Sequence, residues 1–129
     1  MRVLLDTHAF LWWINDDSRL SRRARRIMGA EANEVFFSTA SGWEIAIKAR
    51  LGRLRLASAD LESFVAEQLA SNGFQVLPVN LQHALRTCRL PDHHQDPFDR
   101  LLVAQAAVEN FPLLSGDRRL SAYAIRVLW

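Results

Sequence analysis

The chain has 129 residues, 50% hydrophobic and 23% charged, with a formal net charge of +2 and a sequence pI of about 9.3. That is the length of one domain, 1–129, able to bury roughly two-thirds of its unfolded surface, and the balance excludes a disordered or fibrous chain. No apolar run reaches the roughly 18–20 residues of a membrane span, so no membrane association is expected. Asp6 and His8 break the N-terminal apolar stretch, so an export signal is not expected either. The lone Cys88 cannot form an internal disulfide, which makes the cytoplasm the expected compartment. Lys48 is the only lysine, so the positive charge is nearly all arginine. Arginine suits bidentate contact with phosphate or carboxylate, and both a nucleic acid and an acidic protein fit as partners.

Val3, Leu4 and Leu5 form a short apolar run with a β-branched member, as a buried strand requires. It ends on Asp6, where strand gives way to a helix over 9–14. Asp6 either anchors a site at the carboxyl end of the strand or simply N-caps the helix; this stretch alone leaves both open. Trp12 and Trp13 point about 100° apart on a helix, so the two cannot both be fully buried in one small core. A protein interface for one of them, or partial burial under a loop, resolves this.

Residues 18–21 begin a basic helix that closes near Gly29. Its Arg22, Arg23, Arg25 and Arg26 form either a solvated face or a contact for RNA phosphates. Residues 34–38 read as a second buried strand. The hydroxyls of 38–41 then offer N-cap chemistry for a helix over 42–51, stopped by Gly52. Trp43, Ala46, Ile47, Arg50 and Leu51 are expected as its apolar stripe. Glu44 is expected in its first turn, where it complements the helix N-terminus, pairs with Lys48, or serves a site.

Ser58 is expected to open the next helix, which runs to about Ser71 and buries Leu61, Phe64, Val65, Gln68 and Leu69 before Asn72-Gly73 ends it. A short strand over 74–77 and a helix over 81–89, capped by Asn80, follow. The polar loop 90–95, with His93 and His94, is expected at the surface. Asp96 then caps the strongest helix, with Pro97 at its first position and an apolar body over 101–108. Residues 112–115 are a short strand ending at a Gly116-Asp117 turn, and 124–128 the last strand, at a sheet edge because Arg126 interrupts it. Strands alternate with helices throughout, which calls for an α/β fold with a mostly parallel sheet covered on both faces.

Four acids occupy comparable places in that fold: Asp6 after the first strand, Glu44 on the helix after the second, Asp99 at the start of the central helix, and Asp117 after the fourth strand. In a parallel sheet all strand carboxyl ends share one edge. Carboxylates gathered within about 6 Å repel one another and raise one another's pKa, a penalty that a divalent cation removes. Hard oxygen donors without thiolates or spaced histidines favour Mg²⁺ or Mn²⁺ over zinc. No glycine-rich phosphate loop and no nucleophile elbow is present.

The ordered set Leu4-Leu-Asp-Thr-His-Ala-Phe-Leu-Trp-Trp13, Ser38-Thr-Ala-Ser-Gly-Trp-Glu-Ile-Ala-Ile-Lys48, Asp96-Pro-Phe-Asp-Arg-Leu-Leu-Val-Ala-Gln105 and Leu114-Ser-Gly-Asp117 resembles a PIN domain. More closely, it resembles the VapC-type toxin ribonucleases of bacterial toxin–antitoxin pairs. The resemblance implies a three-layer α/β/α sandwich and Mg²⁺- or Mn²⁺-dependent endoribonuclease activity. It also implies inhibition by a cognate antitoxin protein, and homodimerisation. By position, it makes Asp6, Glu44, Asp99 and Asp117 the catalytic and metal-binding acids, with Asp6 and Asp99 as main ligands. Ser115 matches the small hydroxyl residue two before the last acid. Asp96 belongs to the motif, but a cap explains it and it ranks below Asp99. His8 stands where many members carry Asn, and no role is assigned to it. The alternative from another class is a catalytically silent PIN-fold module that grips RNA or a protein.

Overall fold

The computed structural model describes residues 1–56 and 59–129. Among the described residues five strands form one sheet in the order β3-β2-β1-β4-β5, and every neighbouring pair is parallel. The strands are β1 (Arg2–Leu5), β2 (Glu34–Ser38), β3 (Gln75–Leu77), β4 (Leu113–Leu114) and β5 (Val127–Leu128). β1 lies at the centre, with Leu4 opposite Phe36 of β2 and Leu113 of β4. A strand covered on both faces needs no polar alternation, and Val3, Leu4 and Leu5 are all fully buried. The last two strands shrink to two residues each, because the chain around them supplies loops and a 3-10 turn at Arg118–Ala122 instead of further pairing.

Six helices, α1 (Thr7–Ile14), α2 (Arg22–Gly29), α3 (Thr39–Arg50), α4 (Leu61–Asn72), α5 (Leu81–Arg86) and α6 (Pro97–Glu109), are found among the described residues. They cover the two faces of the sheet and make a three-layer sandwich. On one face Val3, Leu5, Val35 and Phe37 pack with Phe10, Leu20, Ile27 and Met28, flanked by Leu61, Val65 and Leu69 of α4. On the other, Leu4 and Leu113 pack with Leu102, Val103 and Ala106 of α6, with Leu120 and Tyr123 completing the layer. Alternate residues of β1 thus serve alternate cores.

Several expectations change here. α4 begins at Leu61 with Asp60 as its cap; the expected start at Ser58 lies outside the described residues. Its apolar face matches the expected residues, but each of them is only half-buried. α3 begins at Thr39 with Ser38 as its cap, so Glu44 sits in the second turn, not the first. The buried side of α3 carries Ala40, Ser41, Glu44 and Ile45. Trp43 and Leu51, expected in the apolar stripe, are 64% and 59% exposed. The helix turns a carboxylate inward because that side looks onto the first residues of α1, where Thr7 bonds it, while Ile45 goes to the core. Trp12 and Trp13 are both half-buried, Trp13 bonding Asn72 through its indole N–H at 2.9 Å. Of the α2 arginines, Arg25 pairs with Asp16 at 2.8 Å.

Candidate active site at the carboxyl edge of the sheet

The chain leaves β1 toward β2 and β3, then crosses back to place β4 on the other side of β1. The crevice beyond the carboxyl ends of β1 and β4 is therefore the switch point at which open parallel sheets hold ligands. Asp6 follows β1 there, and Ser115-Gly116-Asp117 follows β4, the two loops being tied by the Asp6 amide donating to the Leu114 carbonyl at 3.1 Å.

Asp6 is the N-cap of α1 and is buried beside other acids. Its Oδ1 accepts from the Ala9 amide at 2.6 Å. Burial pushes its carboxyl up; the Ser115 hydroxyl, the Ala9 amide and His8 oppose this, and Glu44 adds to it. Glu44, also buried, is held from two sides. Thr7 Oγ1 lies 2.5 Å from its Oε1 and Lys48 Nζ 2.9 Å from its Oε2. Thr7 Oγ1 is also 3.0 Å from Ser41 Oγ. A hydroxyl has one proton, so with the Thr7 proton on the carboxylate, Ser41 is the donor in that second bond.

Asp99 lies in the first turn of α6. Its cap, Asp96, accepts through Oδ1 from the amides of Phe98 and Asp99 at 2.9 and 3.0 Å, with Pro97 at the first helical position. The Asp99 carboxyl is pushed up to about 7, first by burial and then by Asp96, Asp6, Glu44 and Asp117. The four expected acids are therefore brought into one electrostatic neighbourhood. Asp117 differs from the rest: the Arg119 guanidinium holds its carboxyl below the usual range through a fork at 2.7–3.2 Å. The same fork, with matching distances, joins Asp17 and Arg19 at the far end of α1. It is a local Asp-x-Arg turn habit, not a special feature of the crevice.

Among the described residues, no three His, Cys, Asp or Glu side chains are already gathered to hold a metal ion. Glu44 is engaged by Thr7 and Lys48, and Asp117 by Arg119. The donor chemistry suits a hard divalent cation, since the oxygen donors are carboxylates and hydroxyls.

His94 corrects the expectation for the loop before α6. It is buried, not at the surface, and its Nε2 stands 3.5 Å from Asp99 Oδ2. Thr7 and Ser41 were likewise unforeseen as supports of Glu44; their only signal was that hydroxyls flank the two acids. The rim of the crevice is aromatic and basic. Trp43 meets Phe98 edge-on, with ring centroids 5.4 Å apart. A depression of about 280 Å³ beside Ser115 and Asp117 is edged by Arg23 and Arg118. Another of about 230 Å³ is lined by His8, Trp12, Arg19, Lys48 and Arg53. No helix among the described residues is long and apolar enough to cross a membrane.

The sequence profile described as "PIN domain" matches residues 3–126. Ribonuclease VapC22 of Mycobacterium tuberculosis (strain ATCC 25618 / H37Rv) is 32% identical over 122 residues, covering 94% of this chain and 91% of that protein. The fold is similar to that of VapBC2 from Rickettsia felis bound to a promoter DNA fragment, with a TM-score of 0.74 at 12% identity over 99% and 98% of the two chains. It is also similar to DNA-bound VapBC from Salmonella typhimurium, with a TM-score of 0.69 at 17% identity over 99% and 97%.

Proposed function

The chain belongs to the PIN domain family, and from that premise we propose that it is a divalent-metal-dependent endoribonuclease, the toxin of a toxin–antitoxin pair. The observation that supports this reading best is Asp99, a carboxyl pushed up to about 7 by its burial and by Asp96, Asp6, Glu44 and Asp117 at the carboxyl edge of the sheet. Asp6 and Asp99 would be the main ligands of Mg²⁺ or Mn²⁺, with Glu44 and Asp117 beside them. A bound cation would supply charge neutralisation at the scissile phosphate and a more acidic water.

The chain's own residues do the rest. The Ala9 amide and the Ser115 hydroxyl hold the Asp6 carboxylate, and Thr7 and Lys48 hold Glu44. Asp117 would be the fourth acid of the set, and the Arg119 guanidinium now on it would be available to a phosphate if the two part. Arg23 and Arg118 on one flank and Arg53 on the other give the backbone of an RNA a cationic track, which positions without specifying sequence. Exposed Trp43 offers a face on which an unpaired base can stack. An acidic partner, the antitoxin, would meet the same basic rim, and pairing into a homodimer belongs to the same reading.

The test is cleavage of RNA by the purified protein in Mg²⁺ or Mn²⁺, with EDTA as the control and the product ends identified. Attack by water leaves a hydroxyl and a phosphate monoester, whereas attack by the 2′-hydroxyl leaves a cyclic phosphate. Metal-dependent cutting with monoester ends is expected. Cutting that survives EDTA, or cyclic ends, would reject the proposed chemistry. Binding of RNA without cutting would favour the silent module.

A further inference from the structure

Asp99 is met from inside the protein by a histidine that the chemistry above does not use. The His94 side chain is only 4% exposed, and its Nε2 is buried without a hydrogen-bond partner, 3.5 Å from Asp99 Oδ2. A buried ring nitrogen aimed at a carboxylate but just short of bonding distance is costly to leave unsatisfied. Its other nitrogen, Nδ1, lies 2.6 Å from the Tyr123 hydroxyl.

The neighbours decide which ring nitrogen carries the proton. Arg100 donates to the Tyr123 oxygen at 3.2 Å and is itself anchored by the carbonyls of Pro91, Thr87 and Leu90 at 2.9–3.2 Å. Guanidinium is a pure donor and a phenol has a single proton. Arg100 takes one lone pair of that oxygen, and among the described residues His94 Nδ1 is the acceptor within reach of the Tyr123 O–H, which therefore donates to it. Nδ1 is then an acceptor, so the neutral imidazole carries its proton on Nε2, the atom facing Asp99. Once Asp99 is ionised, the opposite tautomer would set a bare lone pair against a carboxylate oxygen. The ring is further fixed by edge packing on Tyr123, with centroids 5.4 Å apart.

We propose that His94 is a positioning residue for Asp99: the Arg100–Tyr123–His94 relay presents Nε2–H to Oδ2 and fixes the carboxylate, leaving Oδ1 for the acidic edge. This rests on the nuclease reading for its purpose but not for its geometry. Partners that orient a ligand in this way typically change metal affinity or activity by about 10–100-fold when removed.

The experiment has two arms on the full chain. In the first, long-range ¹H–¹⁵N correlation spectra of metal-free protein, recorded at a pH where Asp99 is ionised, report the His94 tautomer directly. The Nε2–H form is expected, turning into a tautomer mixture in Tyr123→Phe. In the second, calorimetry with Mn²⁺ alone and steady-state RNA cleavage are compared for His94→Ala and His94→Gln. His94→Ala is expected to bind Mn²⁺ about 10–100-fold more weakly and to lose kcat with KM nearly unchanged. His94→Gln, whose side-chain amide reaches the Nε2 position, is expected to recover most of both. Should His94→Ala fail to fold, Tyr123→Phe and His94→Gln carry the comparison. A wild-type Nδ1–H tautomer, or Mn²⁺ affinity unchanged in folded His94→Ala, would overturn the proposal. Wild-type protein that neither binds Mn²⁺ nor cuts RNA would defeat the nuclease reading instead, and the tautomer spectrum would still decide the relay.

Discussion

Replacing Asp99 by asparagine should make the metal-free protein more stable, and more so as the pH rises. The Asp99 carboxyl is displaced from an ordinary 3.8 to about 7 in the folded chain, so the folded state holds this proton more tightly than the unfolded state does. Between about pH 4 and pH 7 the unfolded chain has lost the proton while the folded one keeps it, and wild-type stability falls across that window as pH increases. Asparagine never ionises and is spared the fall. In a dry site the displacement would correspond to about 4 kcal/mol, at about 1.4 kcal/mol per pH unit. The side chain keeps 21% of its exposure, so solvent screening reduces the expected difference to about 1–2 kcal/mol. Urea unfolding of both proteins in EDTA at pH 4.5, 6 and 8 measures it directly. The stability gap should widen by that amount from the lowest to the highest pH, and saturating Mn²⁺ should reverse its sign. Parallel pH curves for the two proteins would refute the claim that burial and the neighbouring acids raise the Asp99 carboxyl.

Other positions separate structural from chemical roles. Asp96→Ala should cost about 1 kcal/mol of stability by removing the acceptor for the Phe98 and Asp99 amides, whereas Asp96→Ser should retain both stability and turnover; a large loss of kcat in the serine variant would make Asp96 a site residue. A Cβ added to Gly116 would lie 2.8 Å from Trp129 Cε2, so Gly116→Ala should destabilise by about 1–3 kcal/mol, read by thermal unfolding, and move the loop that carries Asp117. Trp43→Ala should raise KM for RNA about tenfold with kcat unchanged if a base stacks on it, since such contacts contribute about 1–3 kcal/mol; an unchanged KM would remove Trp43 from the RNA path.

Much of the fold was legible because its signals are local. Leu4 and its neighbours form an unbroken apolar run, and Asp96-Pro97 marks a helix start that could hardly be read otherwise. The alternation of strand and helix then implied the parallel sheet, and the sheet implied a shared edge for Asp6, Asp99 and Asp117. What stayed hidden depends on contacts between distant residues. The inward side of α3 is not legible locally, because periodicity ranks Trp43 above Glu44 as a core residue. Thr7, thirty-seven residues away, bonds the glutamate from α1, and nothing in the local pattern reports that. The polarity of its loop points His94 to the surface; it turns inward because Tyr123, twenty-nine residues later, bonds its ring nitrogen. Asp6 shows the opposite case, in which the cap reading holds without excluding the other: the acid caps α1 and is also buried where Glu44 acts on it.

The most direct measurement is paired: RNA binding and RNA cleavage by Asp6→Asn and wild type, purified identically, in Mn²⁺. If the acidic edge is the catalyst, the variant should bind RNA within about threefold of wild type while its cleavage rate falls by about a thousandfold or more, on the scale of removing one essential electrostatic element. Equal cleavage by the two proteins would contradict the account and place the chemistry elsewhere on the chain or outside it.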